Sequence, residues 1–391
     1  MKAGLLRLIL AQVFLHASMT GTRLAAPLLA LREGYSAAAV GVLLALFALT
    51  QVFLALPAGR FADRHGLQAP LAIAVTSATL GAALAAAFPI FPVLCLAALL
   101  TGGATGIAVI ALQRHVGRAA ANPTELKRVF SWLAIAPAVA NFLGPFATGL
   151  LIDHAGPVPG DLMGYRVAFV LLALLPVVGW LLARGAAELP LIRPPAGTPR
   201  PRAWDLVGEP MFRRLLFVNW LQSASWDVHT FVLPLLGHER GLSASTIGTI
   251  LGAFAVAAAG IRLVLPLFAS RFSERAVIAA ANVVTAAVFA VYPLMSSALG
   301  MAACSIVLGI ALGAVQPMVM SMLHQITPQA RHGEALGLRV MTLNASSVAM
   351  PMLFGAAGAL IGVAGVFWVV GGVVALGTRS VFGLRAPPGT H

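Results

Sequence analysis

Two stretches of this chain, 207 residues apart, carry the same residues in the same order. Pro27 falls on Pro234, Gly34 on Gly241, Ser36 on Ser243 and Gly41 on Gly248, and Arg7 falls on Arg214 in that register. Further on, Arg60-Phe61-Ala62-Asp63-Arg64 recurs as Arg271-Phe272-Ser273-Glu274-Arg275 at an offset of 211. Pro145-Phe146-Ala147-Thr148-Gly149 recurs as Pro351-Met352-Leu353-Phe354-Gly355 at 206. Offsets that drift by so little are one plan used twice, with small loop insertions between the copies. Whatever one half builds, the other must build as well.

What each half builds follows from polarity. The 391 residues are 60% hydrophobic and 9% charged, against about 25% charged in a water-soluble domain. A spanning helix needs about 20 apolar residues, because each adds about 1.5 Å against a hydrocarbon layer near 30 Å. Charge-free runs of that length recur, and twelve spans are predicted at about 4–31, 37–58, 68–88, 92–113, 128–152, 166–183, 214–236, 244–268, 276–294, 298–323, 334–356 and 361–379. Unpaired backbone groups are not tolerated in lipid, which leaves helices or a closed barrel. Barrel strands are about 10 residues long and alternate in polarity; these runs are longer and do not. The expected fold is all-α and membrane-embedded, with 12 transmembrane helices in two pseudo-symmetric six-helix bundles.

The formal charge of +13 is not a nucleic-acid patch. With the N-terminus inside, 20 of the 25 Lys and Arg fall at cytoplasmic ends or loops; Arg32, Arg166 and Arg240 fall outside, and Arg23 and Arg262 lie within spans. That asymmetry sets orientation and places both termini in the cytoplasm. The opening MKAGLLRLILAQVFLHAS has the look of a signal peptide, but it is the repeat partner of the seventh span and is expected to stay. Cys95 and Cys304 sit inside spans four and ten, too few and too deep for a disulfide framework or a metal cluster.

The expected domains are a bundle at 1–183, a linker at 184–212 and a second bundle at 213–391. The linker holds Pro190, Pro194, Pro195, Pro199, Pro201 and Pro210 with Arg184, Arg193, Arg200 and Arg202, and proline keeps such a segment extended. The other connections are short and leave no room for a soluble catalytic domain. The chain carries no His-Glu-x-x-His, no Gly-x-Ser-x-Gly and no paired aspartates in facing helices, so no enzyme, cofactor or metal is expected. Two bundles related by an internal repeat, with a cavity at the seam, are a common plan of secondary transporters.

Between spans two and three the chain reads Gly59-Arg60-Phe61-Ala62-Asp63-Arg64-His65-Gly66. This resembles the loop motif of the major facilitator superfamily, Gly-x-Leu-Ala-Asp-Arg-x-Gly followed by two basic residues. Gly59, Asp63, Arg64 and Gly66 match; Leu67 and Gln68 replace the basic pair. The resemblance implies a conformational gate, repeated at Arg271, Glu274 and Arg275. In physical terms, glycines allow a tight turn and the carboxylate faces a helix N-terminus or a cation. The other reading is a charged loop that only sets topology. In span five, Gly144, Pro145 and Gly149 resemble the antiporter motif of the drug:proton exporters of this superfamily, with Ala140 in place of a family glycine; the alternative is plain packing of a kinked helix. Those exporters often carry an arginine in span four, and here Leu96–Gly103 has none.

Spans one and seven carry polar stripes. Gln12, His16, Thr20 and Arg23 are spaced by four, four and three, and Asn219, Ser223, Asp227 and Thr230 repeat that spacing at repeat-equivalent positions. Facing lipid, such stripes would cost a few kcal/mol per charge, so they are expected on opposite walls of one hydrated pore. Asp227 is the expected proton carrier and Arg23 its partner in one state, the alternative being a static ion pair. His16 is a proton relay or a packing histidine, and His229, off the stripe, a packing one. Trp226 flanks the stripe as a stacking surface for a flat or cationic ligand or as a helix-contact aromatic, Gln222 is a ligand contact, and Gln316 and Asn344 are further lining groups. Arg262 is expected to snorkel to the interface. The expected activity is proton-coupled efflux of a small organic compound by alternating access; the alternative is proton symport importing a small organic anion. The expected partners are the lipid bilayer, the small-molecule substrate and protons, with no nucleic acid, in a monomer of a bacterial inner membrane.

Overall fold

The computed structural model describes residues 3–35, 37–158, 160–190, 202–242, 244–268 and 271–384. Ser36 and Ser243 of the repeat, and Arg193, Pro194, Pro195, Pro199, Arg200 and Pro201 of the linker, lie outside the described residues. Among the described residues every regular element is a helix. The order is α1 (Ala3–Arg32), α2 (Ala37–His65), α3 (Gln68–Ala87), α4 (Phe91–Ala119), α5 (Pro123–Leu133), α6 (Ile135–His154), α7 (Leu162–Ala183), α8 (Asp205–Gly208), α9 (Pro210–Glu239), α10 (Ala244–Val264), α11 (Glu274–Val291), α12 (Ala298–Ile326) and α13 (His332–Phe382). Because α5 and α6 share span five, α13 holds spans eleven and twelve, and α8 is a single turn, the membrane-length segments number twelve among the described residues. Ten are long and apolar enough to cross a bilayer by composition alone. The other two, α9 and residues 332–359, hold the polar positions of spans seven and eleven.

Several boundaries differ from the hydropathy reading for identifiable reasons. Span five starts at Pro123, not near 128, because Asn122 caps it. The Asn122 side chain accepts from the Glu125 N–H at 2.9 Å, and the Glu125 carboxylate accepts from the Ala121 N–H at 2.8 Å. That reciprocal pair, with proline in the first turn, is a strong helix start. Spans eleven and twelve part at Gly362, where φ is 75° and ψ 163°, a region open essentially to glycine alone. Gly34 and Gly241, one repeat apart, both have positive φ, at 84° and 71°, so the duplicated turn after the first span of each half is the same turn.

The chain packs as two compact units. Unit 1 holds residues 1–119, 136–199 and 329–344; unit 2 holds 120–135, 200–328 and 345–391. Each thus takes most of one half, while the start of span five packs within unit 2 and the start of span eleven within unit 1.

In unit 1, α2 crosses α4 so closely that a Cβ on Gly102 would run into the Phe47 carbonyl, and one on Gly106 would lie 3.2 Å from Gln51 Cγ. In unit 2, α10 crosses α12 in the same way: a Cβ on Gly309 would run into the Phe254 carbonyl, and one on Gly313 would lie 2.7 Å from the Ala258 carbonyl. Phe47 and Phe254, Gly102 and Gly309, and Gly106 and Gly313 are each 207 apart. Small residues at a crossing let backbones meet in a membrane, where no hydrophobic force drives helices together. The core of unit 1 gathers Leu29, Phe47, Leu94, Phe169 and Leu172. That of unit 2 gathers Phe254, Phe289, Tyr292, Leu308 and Phe367.

Candidate transport site and gate

At one end of unit 1, Asp63 sits near the C-terminus of α2 and its carboxylate meets the first turn of α13. It accepts from the Gly333 N–H at 2.9 Å and the Glu334 N–H at 3.1 Å. The first N–H groups of a helix have no partner within it and carry the positive end of its dipole. Arg114, on α4, donates through Nε to Asp63 at 2.6 Å and through Nη2 to the Asp63 carbonyl at 3.3 Å. Both side chains are nearly sealed, at 3% exposed for Arg114 and 9% for Asp63. The sequence pattern anticipated a carboxylate facing a helix N-terminus or a cation; Asp63 faces both.

The backbones meet closely there. A Cβ on Gly59 would strike the Gly333 carbonyl, and one on Gly333 would strike that of Gly59. Glu334 adds ion pairs to Arg60 at 2.9 Å and Arg331 at 2.8 Å. Arg64 is exposed. A Cβ on Gly66 would crowd the Glu188 carboxylate, which accepts from the Leu67 and Gln68 N–H groups at 3.0 and 2.6 Å and so caps α3. Gln68 donates to the carbonyls of Ala183 and Ala186, both at 3.1 Å. Where the superfamily motif has a basic residue, an amide binds the carbonyl end of α7.

Unit 2 carries the repeat copy with different chemistry. Glu274 is buried and accepts from Ser321 at 2.9 Å and Gln325 at 2.7 Å on α12, with Lys127 of α5 at 4.0 Å. Lys127 also donates to the Phe272 carbonyl at 3.0 Å. Arg271 stacks over Phe268 at 5.7 Å, and Arg275 is exposed. Lys127 and Glu334 are repeat partners, 207 apart, so the two clusters carry opposite charges at one position. Arg114, Glu188, Lys127, Ser321, Gln325, Gly333 and Glu334 were not singled out from sequence. The register of the repeat pairs Arg114 with Ser321 and Lys127 with Glu334, a signal that marks these positions without showing which way their side chains turn.

The polar stripe of α1 lies in unit 1. Gln12 is 2% exposed, and its Oε1 is buried with no hydrogen-bond partner among the described residues. His16 is half-buried beside the Asn141 side chain, and its Nδ1 is likewise without a partner. Thr20 donates to the Ala140 carbonyl at 3.0 Å. A Cβ on Gly144 would strike Thr20 Oγ1, so this motif glycine lets α6 meet α1. Around Gly149 nothing lies within 4 Å of such a Cβ. Pro145 sits inside α6, and Arg23 is exposed.

The stripe of α9 lies in unit 2. Asn219 is buried, and Gln222 donates to Asn282 of α11. Thr230 turns its hydroxyl to the Trp226 carbonyl at 3.0 Å, and Ser223 is half-buried. Asp227 is half-buried, and its Oδ2 is buried with no hydrogen-bond partner among the described residues. His229 is fully buried, stacked on Phe254 at 4.2 Å and 2.9 Å from Ser305, which is a packing role. Asn344, in unit 1, bonds the Val340 carbonyl of its own helix at 2.9 Å.

Arg262 departs from expectation. It does not snorkel but is 7% exposed and turned into unit 2. Its Nε donates to the Gly313 carbonyl at 3.3 Å, its Nη1 to the Ala134 carbonyl at 3.1 Å and its Nη2 to Gln316 at 3.5 Å. The guanidinium lies 5.8 Å from the Trp226 ring. The break between α5 and α6 supplies the Ala134 carbonyl, and the glycine crossing supplies that of Gly313. These neutral acceptors outcompeted the interface for an arginine that hydropathy places near a helix end.

The sequence matches the profile of the Major Facilitator Superfamily over residues 8–214 and again over 215–391. The chain belongs to this superfamily. It is a multi-pass membrane protein of the secondary-transporter type. Similar solved structures include a human organic anion transporter, MFSD10 (TETRAN), at TM-score 0.78 and 17% identity, covering 97% of this chain and 99% of that one. A bacterial homologue of the iron transporter ferroportin, outward-facing with soaked iron, gives 0.78 and 16%, covering 97% and 98%. The proton:xylose symporter XylE gives 0.74 and 13%, covering 98% and 96%. At these identities the likeness is one of fold. No curated protein matches the sequence.

Proposed function

We propose that this superfamily member is a proton-coupled exporter of a small organic compound, working by alternating access, with Asp227 as the proton carrier. One observation carries the proposal: a carboxylate in the middle of a membrane helix has a buried oxygen with no partner and no cation paired to it among the described residues. In an apolar layer such a group must be neutralised, and a proton is what is left to do it. Arg23, on the repeat-equivalent stretch of α1, is the cation proposed to compete with that proton in another state. The direction rests on the antiporter-like Gly144, Pro145 and Gly149. Gln12, His16 and Asn141 are proposed to bind solute or relay protons, and the Asp63 and Glu274 latches to open and close with the cycle. The protein is proposed to act as a monomer in a bacterial inner membrane, both termini in the cytoplasm, as the placement of its Lys and Arg favours.

A second reading, proton symport that imports an organic anion, is favoured by the buried Arg262. Sidedness separates the two. With a solute found by thermal-shift screening of the purified protein, inside-out vesicles with an acidic lumen accumulate it if the protein exports. Right-side-out vesicles in acidic medium accumulate it if the protein imports. Asp227→Asn is expected to abolish gradient-driven accumulation and leave solute binding measurable. Coupled transport that survives the substitution removes Asp227 from the mechanism.

A further inference from the structure

Arg262 is a buried cation that the packing of the fold does not require. The repeat supplies the control. Arg262 corresponds to Ala55, Gln316 to Val109 and Trp226 to Met19, each 207 residues earlier. The register is fixed by structure as well as sequence, since the Phe47–Gly102 contact recurs as Phe254–Gly309 at the same offset. Unit 1 therefore builds the same helix crossing with alanine, valine and methionine where unit 2 has arginine, glutamine and tryptophan. Ala55 is 1% exposed and packs against Gly337, so the site closes well without a charge.

Among the described residues, the groups that hold the Arg262 guanidinium are electrically neutral: two backbone carbonyls, one amide oxygen and the face of an indole. Among the described residues no carboxylate pairs with it. Three hydrogen bonds hold the guanidinium in place and, among the described residues, leave two of its five N–H groups uncommitted. Trp226 and Gln316 beside it are only half-buried, so part of each remains accessible. A fixed guanidinium beside an aromatic face suits a planar carboxylate, which it binds in fork geometry while the indole stacks on the attached ring.

We propose that Arg262, Trp226 and Gln316 form a binding site for the carboxylate of a flat, preferably aromatic, organic anion. The site lies within unit 2 and gives the transported solute its chemical class, so it rests on the transport reading above while being testable apart from it.

The test uses the purified full-length protein in detergent, titrated calorimetrically with benzoate and with benzamide, which has the same ring and no charge. Wild type is expected to bind benzoate saturably and at least roughly tenfold more tightly than benzamide. Arg262→Gln is expected to lose that preference, and Arg262→Lys to retain part of it. Trp226→Leu is expected to weaken both ligands alike. Thermal unfolding reports whether each variant is folded. No saturable benzoate binding, equal affinity for both ligands in wild type, or a folded Arg262→Gln that keeps the preference overturns the site. If Arg262→Gln does not fold, the wild-type comparison and Trp226→Leu still decide, since a Trp226→Leu protein with unchanged affinities also overturns it. The measurement needs no gradient. Its failure leaves proton coupling at Asp227 standing, and coupled transport that survives in Asp227→Asn leaves the anion site standing.

Discussion

Asp63 does two jobs with one carboxylate. It caps the first turn of α13 and neutralises Arg114, and both partners are sealed from water. Removing the carboxylate strands a buried guanidinium, which costs more than the pair contributes. Asp63→Ala is therefore expected to lower stability by about 3 kcal/mol in thermal unfolding, and to expose cysteine probes placed near Gly333. Adding Arg114→Leu should recover most of the stability but not the probe pattern, because the cap on α13 stays missing. An unchanged probe pattern in Asp63→Ala would reduce the motif to a topology signal. At this scale the sequence was legible where a motif spoke. Asp63 and Glu274 could be picked out from their loop pattern, but Arg114, Ser321 and Gln325 could not, because a polar residue near a helix end looks the same whether it snorkels or binds inward. Arg262 shows the same ambiguity: only the positions of the Ala134 and Gly313 carbonyls decide where it points.

The helices were legible as runs of apolar residues, and the described residues hold twelve membrane-length segments with α5 and α6 counted as one span. Their ends were not, since hydropathy sees side-chain polarity and helices end by capping. Asn122 and Glu125 start span five several residues early, and Gly362 alone separates two spans that are otherwise continuous helix. The antiporter-like motif divides in the same way once contacts are known. Gly144 lies where α6 meets α1, with Thr20 in the space a Cβ needs, whereas Gly149 faces open space. Gly144→Ala is expected to destabilise the protein by about 1–3 kcal/mol through overpacking, and Gly149→Ala to stay within about 0.5 kcal/mol of wild type. Thermal unfolding checks both. A neutral Gly144→Ala would mean that α1 and α6 can part without loss.

Across the whole molecule the duplication is the most legible property of the chain, and the structure gives it a physical basis in the paired glycine crossings of α2 with α4 and α10 with α12. It is also what the two units depart from. Residues 120–135 pack in unit 2 and 329–344 in unit 1, an exchange invisible to hydropathy because it concerns which neighbours a helix start chooses. Repeat-related positions have diverged in charge, with Lys127 against Glu334 and Arg262 against Ala55. The central claim is that protonation of Asp227 shifts the balance between two conformations of this transporter. It can be measured without knowing the solute. Spin labels replace His154 in unit 1 and Leu294 in unit 2, both exposed, in a background with Cys95 and Cys304 changed to alanine, and distances are read by pulsed electron resonance in lipid at acidic and alkaline pH. Two distance populations are predicted, their ratio changing with pH in the wild-type background and fixed in Asp227→Asn. A ratio that shifts equally with pH in both proteins would contradict the claim.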